Sequence, residues 1–288
     1  MSDVLYGKQI ADEILLDLKS KIATLACTPT LAIIQVGDDE RSSAYIRQKK
    51  LFAEKIGVKV EHVELARACD MSQIKKVITE LNVNPKVNGI IVQLPLPQNI
   101  DQTEIVECID PTKDVDGLTS HNVKILWDEK KGIAPATARG VLTLLDYYKI
   151  PLQGKNALVI GRSSLVGKPI ALALLKRNAT VTIAHKMTKN LPEIARRSEL
   201  VVIAAGSPWL LRKEWTNKNQ IIVDVGINLV LGTSLEEKIP KRRLVGDADF
   251  NSILDHVKAI TPVPGGVGPL TVASLFQNLL DAYEERTE

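Results

Sequence analysis

The 288-residue chain reads as an α/β protein of two domains, each built on a mainly parallel sheet. Three observations predict this class. Short apolar runs alternate with helix-patterned stretches along nearly the whole length. Ten or more residues separate successive runs, the room that a right-handed crossover between parallel strands requires. The alternation lapses once, from 95 to 135, where prolines and aspartates interrupt any sustained period. That lapse marks a domain boundary or an interdomain cleft, and the length is comfortable for two domains.

In the first half LAIIQV (31–36), VKVEHVEL (58–65) and GIIVQL (89–94) have strand character, with helical candidates at 42–56 and 71–81 between them. In the second half ALVIG (157–161), TVTIA (180–184), ELVVIAA (199–205) and QIIVDVG (220–226) repeat the pattern. LAIIQV and GIIVQL are almost unbroken apolar runs, as expected of strands covered by helices on both faces. A last helix, 270–284, follows a Gly/Pro-rich loop and is expected to return to the first domain. The domains are drawn at 1–134 and 135–268, with 269–288 as the returning helix.

Composition narrows the function. The 37 basic and 34 acidic residues leave a net charge of +3, too even for a nucleic-acid binder, which concentrates basic charge on one face. Cys27, Cys69 and Cys108 are odd in number and lack a C-x-x-C spacing, so reduced thiols are expected. His62, His121, His185 and His256 have no zinc-ligand spacing. The N-terminal stretch is neither a secretory signal nor an Arg-rich transit peptide, and no apolar run approaches the ~20 residues that span a bilayer. A cytoplasmic protein with no membrane and no nucleic-acid partner is the expectation.

Between a strand and a helix lies GRSSLVGKP (161–169). The context suits a phosphate, because the free N–H groups of a helix start favour an anion. Yet the usual dinucleotide fingerprint has glycines at positions one, three and six; here position three is Ser163 and Gly167 comes one residue late. Spacing alone leaves a nucleotide turn and mere close packing equally open. After TVTIA no carboxylate awaits a ribose 2′-hydroxyl; Lys186 stands there instead and, with Arg162, leans toward a 2′-phosphate, if a dinucleotide binds and Lys186 is not an ordinary surface charge.

The helical stretch 42–58 carries a second anomaly. At 100° per residue one face collects Ser42, Tyr45, Ile46, Lys49, Phe52, Ala53 and Ile56, with Lys49 in the middle of the apolar stripe. Leu51 breaks the division. A lysine drawn into such a face has its pKa lowered by desolvation and becomes an acid/base group near neutral pH; the alternative is that it snorkels to water. GIIVQLPLP ends its strand in Gln93, a polar residue at the carboxyl end of what reads as a central parallel strand, where α/β proteins place ligands. Lys49 and Gln93 are thus expected at one rim. The next loop, DPTKDVDGLT, offers Asp114 and Asp116 as turn formers or as acceptors for a heterocycle's N–H groups.

With these pieces assembled, the sequence resembles the bifunctional methylenetetrahydrofolate dehydrogenase/methenyltetrahydrofolate cyclohydrolase family. VGDDERSSAYIRQKK, GIIVQLPLP, PTKDVDG, GRSSLVGKP, VDVGIN, VGDADF and TPVPGGVGPLT stand in the family's order and approximate spacing over nearly the whole chain. The resemblance implies an N-terminal three-layer α/β domain and a C-terminal Rossmann-type NADP-binding domain flanking a cleft, with folate in the cleft, and a homodimer. It implies oxidation of methylenetetrahydrofolate to the methenyl cation and hydrolysis of that cation to formyltetrahydrofolate at one shared site. Residue by residue, it makes Lys49 the catalytic lysine, Gln93 its hydrogen-bond partner, Tyr45 the ring that stacks on the folate, and Asp116 the carboxylate that grips the pterin. Gly265 and Gly266 are implied on the folate side. Gly161, Arg162, Ser163, Lys186, Ile227 and Thr137 are implied with the cofactor, and no metal is implied.

Two departures stand out. The family commonly reads Pro-Cys-Thr-Pro-x-Gly where this chain has Pro135-Ala136-Thr137-Ala138-Arg139-Gly140, which bears on the stiffness of what reads as a loop. Lys186-Met187 replaces the middle of the family's His-Ser-Arg/Lys-Thr, which bears on the geometry around a 2′-phosphate.

Overall fold

The computed structural model describes residues 2–128, 132–231 and 242–287. A two-residue strand β1 (Asp3–Val4) leads into helix α1 (Lys8–Ile22). Then follow β2 (Thr30–Val36), α2 (Glu40–Ile56), β3 (Lys59–Leu65), α3 (Met71–Val83), β4 (Gly89–Val92), and the short helices α4 (Gln102–Val106) and α5 (Ser120–Trp127). After α6 (Ala136–Tyr147) come β5 (Asn156–Ile160), α7 (Gly167–Lys176), β6 (Thr180–Ala184), α8 (Leu191–Arg197), β7 (Leu200–Ile203) and β8 (Ile221–Asp224). The chain continues through β9 (Asn228–Leu231), β10 (Arg242–Val245), α9 (Phe250–Ile253) and β11 (Ala259–Ile260), and ends in α10 (Val267–Thr287).

These elements form two units, one of Asp12–Ala136 with Val272–Glu288, the other of Met1–Ala11 with Thr137–Thr271. The first holds a three-stranded parallel sheet ordered β3-β2-β4. Because side chains alternate across a strand, the sheet feeds two cores. Leu31, Ile33 and Ile91 pack with Ile46, Ala53 and Ile56 of α2 and with Leu275, Phe276 and Leu279 of α10. Ala32, Ile34, Ile90 and Val92 pack with Ile74 and Ile78 of α3. Helices thus cover both faces, which is why every residue of β2 and β4 is buried.

The second unit holds a six-stranded parallel sheet ordered β1-β11-β8-β7-β5-β6, and β9 and β10 pair as a separate antiparallel hairpin. The sequence division assigned 1–134 to one domain, but Met1–Ala11 belongs with the six-stranded unit. The cause is β1, whose Asp3 and Val4 pair with Ala259 and Ile260 of β11; a two-residue strand has no periodicity to read. Two further expectations are corrected. β4 is not central: β2 flanks one side, and a single bridge from Ile90 to Asp114 flanks the other. The stretch 95–135 carries no sustained period, as expected, because its helices α4 and α5 are too short to set one up. The Ala136–Gly140 segment is the first part of α6, not a loop; Ala136 and Ala138 are buried there, and alanine is the best helix former.

Candidate active site

Helix α2 begins at Asp39, whose carboxylate accepts from Ser42 N at 3.1 Å, and ends at Gly57 in the left-handed region (φ 81°). Between these caps the predicted stripe is realised: Ser42, Ile46, Ala53 and Ile56 are buried, Tyr45 and Phe52 are half-buried, and Leu51 turns 51% of its surface to solvent. Lys49 is 8% exposed and does not snorkel. Its Nζ donates to Gln93 Oε1 at 2.9 Å. Gln93 follows β4 directly, its own N–H bonding Ile34 O at 2.8 Å, so the sheet ladder sets where its side chain starts. Its Nε2 donates to Leu94 O, which leaves Oε1 turned to the lysine.

Burial holds the Lys49 ammonium well below the usual lysine range, and the nearby Asp116 carboxylate pulls it partly back. The converse acts on Asp116: burial raises its carboxyl, Lys49 lowers it, and Asp114 raises it. A neutral amide partner positions the amine without supplying a counter-charge.

The two loop aspartates separate cleanly. Asp114 is 1% exposed; its oxygens accept from Gly117 N at 3.0 Å, Thr119 N at 2.8 Å and Asn122 Nδ2 at 3.0 Å. Asp116 is half-buried, and no group among the described residues donates a hydrogen bond to its carboxylate. Asp114 builds the loop, and Asp116 is left open to a ligand. Sequence reasoning missed two supports. Lys113, fully buried, donates to Leu81 O and Asn84 O at the end of α3, where the helix dipole favours a cation. Asn278 of α10 donates to Val115 O and Ala134 O, both at 2.8 Å. A lysine beside two aspartates in the same loop gave no signal of such burial.

In the six-stranded unit the GRSSLVGKP turn lies between β5 and α7. Gly161 has φ 134°, and a Cβ there would strike Ala204 O; a Cβ on Gly167 would strike Gly161 O. Both glycines are therefore demanded by backbone approach, which explains a spacing that differs from the common fingerprint. Ser163 takes over the middle position, its Oγ accepting from Val166 N (3.2 Å) and Gly167 N (3.3 Å). Arg162, Ser163 and Lys168 are exposed around this helix start. Past β6, Thr188 Oγ1 accepts from His185 N and His185 Nδ1 from Met187 N. The two residues that match the family pattern thus close the turn, and the departing pair, Lys186 and Met187, is exposed at its tip. Exposed cations beside a helix N-terminus, with no carboxylate after β6, form a donor set that fits a dinucleotide with a 2′-phosphate.

Ile227, 41% exposed, follows β8, and Thr137 is half-buried at the start of α6. Gly265 and Gly266 belong to this unit, not to that of Lys49. Gly265 O accepts from Gly7 N and Lys8 N, so their backbone anchors the start of α1.

Fold and geometry define a class: a two-domain α/β enzyme with a dinucleotide-type turn on one sheet and a buried lysine amine beside the other. Two family models match, the catalytic domain of tetrahydrofolate dehydrogenase/cyclohydrolase over 5–116 and its NAD(P)-binding domain over 135–287. A bifunctional FolD protein of Lactobacillus helveticus is 43% identical over 280 residues, 96% of each chain. The solved bifunctional FolD enzyme of Campylobacter jejuni superposes with a TM-score of 0.92 at 38% identity, covering 99% of this chain and 100% of that one. The Trypanosoma brucei enzyme, solved with NADP cofactor and an inhibitor, gives 0.94 at 35% identity over 100% of this chain and 99% of that one. The chain belongs to the tetrahydrofolate dehydrogenase/cyclohydrolase family. It is a bifunctional methylenetetrahydrofolate dehydrogenase and methenyltetrahydrofolate cyclohydrolase.

Proposed function

We propose that the chain oxidises methylenetetrahydrofolate with NADP and hydrolyses the methenyl product to formyltetrahydrofolate, with Lys49, Gln93, Tyr45 and Asp116 serving both steps. The observation that carries this reading is the buried Lys49 amine held at 2.9 Å by the neutral Gln93 amide. Burial lowers the Lys49 pKa and so favours the neutral amine, which accepts a proton from water as the oxygen bonds to the methenyl carbon. The cationic substrate further disfavours an ammonium beside it. Asp116, with its acceptor positions open, takes the donor edge of the pterin, and Tyr45, one helical turn before Lys49, stacks on the folate ring.

NADP, when bound, supplies the hydride acceptor. Gly161, Arg162 and Ser163 would hold its phosphates, Lys186 and Arg162 would supply positive charge for the 2′-phosphate, and Ile227 and Thr137 would be further contacts. For the hydride step the chain contributes orientation rather than acid/base chemistry. The enzyme acts as a cytoplasmic homodimer, as its resemblance to the family implies. No helix among the described residues is long and apolar enough to cross a membrane.

The test gives the purified protein methylenetetrahydrofolate with NADP, and separately with NAD, and separates methenyl from formyl products. Formyl product forming with NADP faster than the buffer hydrolyses methenyl is the expected result. Methenyl accumulating would overturn the role of Lys49, and equal turnover with NAD would overturn that of Lys186.

A further inference from the structure

The chemistry above uses Ile227 of VDVGIN and nothing of VGDADF, yet the two motifs are built into one another. Asp224 and Asp247 are both buried, at 2% and 0% exposure. A Cβ on Gly226 would run into the Asp247 carboxyl, and one on Gly246 into the Asp224 carboxyl. Each motif thus supplies the glycine against which the other's aspartate lies. Asp224 accepts from Gly226 N (2.8 Å), Asp247 N (3.1 Å) and Ala248 N (2.7 Å). Asp247 in turn accepts from Ala205 N (2.6 Å), Gly206 N (2.8 Å), Ser207 N (2.8 Å) and Asn228 Nδ2 (2.8 Å).

Those partners are not core backbone. Ala205 and Gly206 are exposed in the segment that follows β7, and Asn228 adjoins Ile227 after β8. Ligands of open parallel sheets lie along this carboxyl edge of the strands. We infer that Asp247, braced by Asp224, is a positioning residue for the cofactor: it holds the 205–207 segment and, through Asn228 at the start of β9, the backbone next to Ile227 in one fixed arrangement. The inference rests on the proposed placement of NADP along that edge. Asp247 touches no cofactor atom in this account; it removes the ordering cost that a loose edge would impose on binding.

The test is Asp247→Asn in the full-length enzyme, read by titration with NADPH. Either orientation of the amide turns an NH₂ toward donors that a carboxylate satisfied. The NADPH Kd and the KM for NADP rise about tenfold, while the KM for the folate stays within about twofold. A merely structural role would lower the thermal midpoint without this split between the two substrates. Ile227→Asp separates the failures. If it weakens NADPH and a folded Asp247→Asn does not, the inference is overturned; if neither weakens it, the placement of the cofactor falls as well. Should Asp247→Asn not fold, Asn228→Ala, which removes one of the four contacts, decides: a raised Kd supports the inference and an unchanged one overturns it.

Discussion

Asp116 and Asp247 both lie in loops, Asp116 between α4 and α5 and Asp247 between β10 and α9, yet their surroundings are opposite. Four donors converge on the buried Asp247 carboxylate. None among the described residues reaches Asp116, which is half-buried and within electrostatic reach of Lys49. A carboxylate whose lone pairs are filled by backbone N–H groups is committed to holding chain segments together. One left unfilled in a partly desolvated place keeps its capacity for a ligand and for tuning a neighbour's proton affinity. The same contrast repeats within two residues, between the saturated Asp114 and the open Asp116. Residue type therefore says little about an aspartate's work here; the count of donors aimed at it says much.

The contrast can be broken or sharpened experimentally. Lys49→Met removes the group that Asp116 tunes, and methenyl hydrolysis should fall at least about 100-fold, the scale of general acid/base catalysis; a retained rate, followed by methenyl absorbance, would leave the open-carboxylate account without a centre. Asp114→Ala should act on stability instead, costing about 3 kcal/mol because several buried donors lose their acceptor. Its urea midpoint checks this, and an unchanged midpoint would erase the distinction between the two loop aspartates.

Asp224 offers a pH test of the saturated class. Burial raises its carboxyl to about 7, against the opposing pull of the Ala248, Asp247 and Gly226 N–H groups and with the help of the Asp247 charge. A carboxyl raised in the folded state binds more protons there than in the unfolded chain. Its contribution is therefore present below the unfolded value near 4 and is lost as pH rises toward 7, at most about 1.4 kcal/mol per pH unit. Asp224→Asn should remove that slope from urea midpoints measured between pH 5 and 7.5; an identical slope would mean that the N–H groups outweigh burial.

The smallest effect tests the open class most directly. Asp116 raises the Lys49 pKa, so Asp116→Asn should drop it further, and the acid limb of the hydrolysis pH profile should move to lower pH whatever happens to the rate. A limb moving upward would show that the two groups are not coupled in this sense.

Much of this was legible beforehand. The Lys49 stripe was readable because helical periodicity is a property of local sequence, and α2 obeys it from Ser42 to Ile56. Gln93 was readable as a polar end to an apolar strand. The serine and late glycine of the GRSSLVGKP turn were visible, but not that both glycines answer to backbone contacts with Ala204 and Gly161. Lys113 and Asn278 were not legible at all, since the carbonyls that hold them lie 29 or more residues away in the chain.

By itself, then, the sequence determined the two parallel-sheet units, the helix with Lys49 in its apolar stripe, the strand–turn–helix context of GRSSLVGKP and the family. These follow from spacings of a few residues and from motif order. The tertiary structure decided which aspartates are saturated and which is open, that β1 joins the sheet of the other unit, and that VDVGIN and VGDADF share one bracket. Apart from Asp114, whose donors Gly117, Thr119 and Asn122 lie in or next to its own loop, these depend on donors and acceptors brought within 3 Å or so from distant segments, and hydrogen bonding at that range leaves no period along the chain.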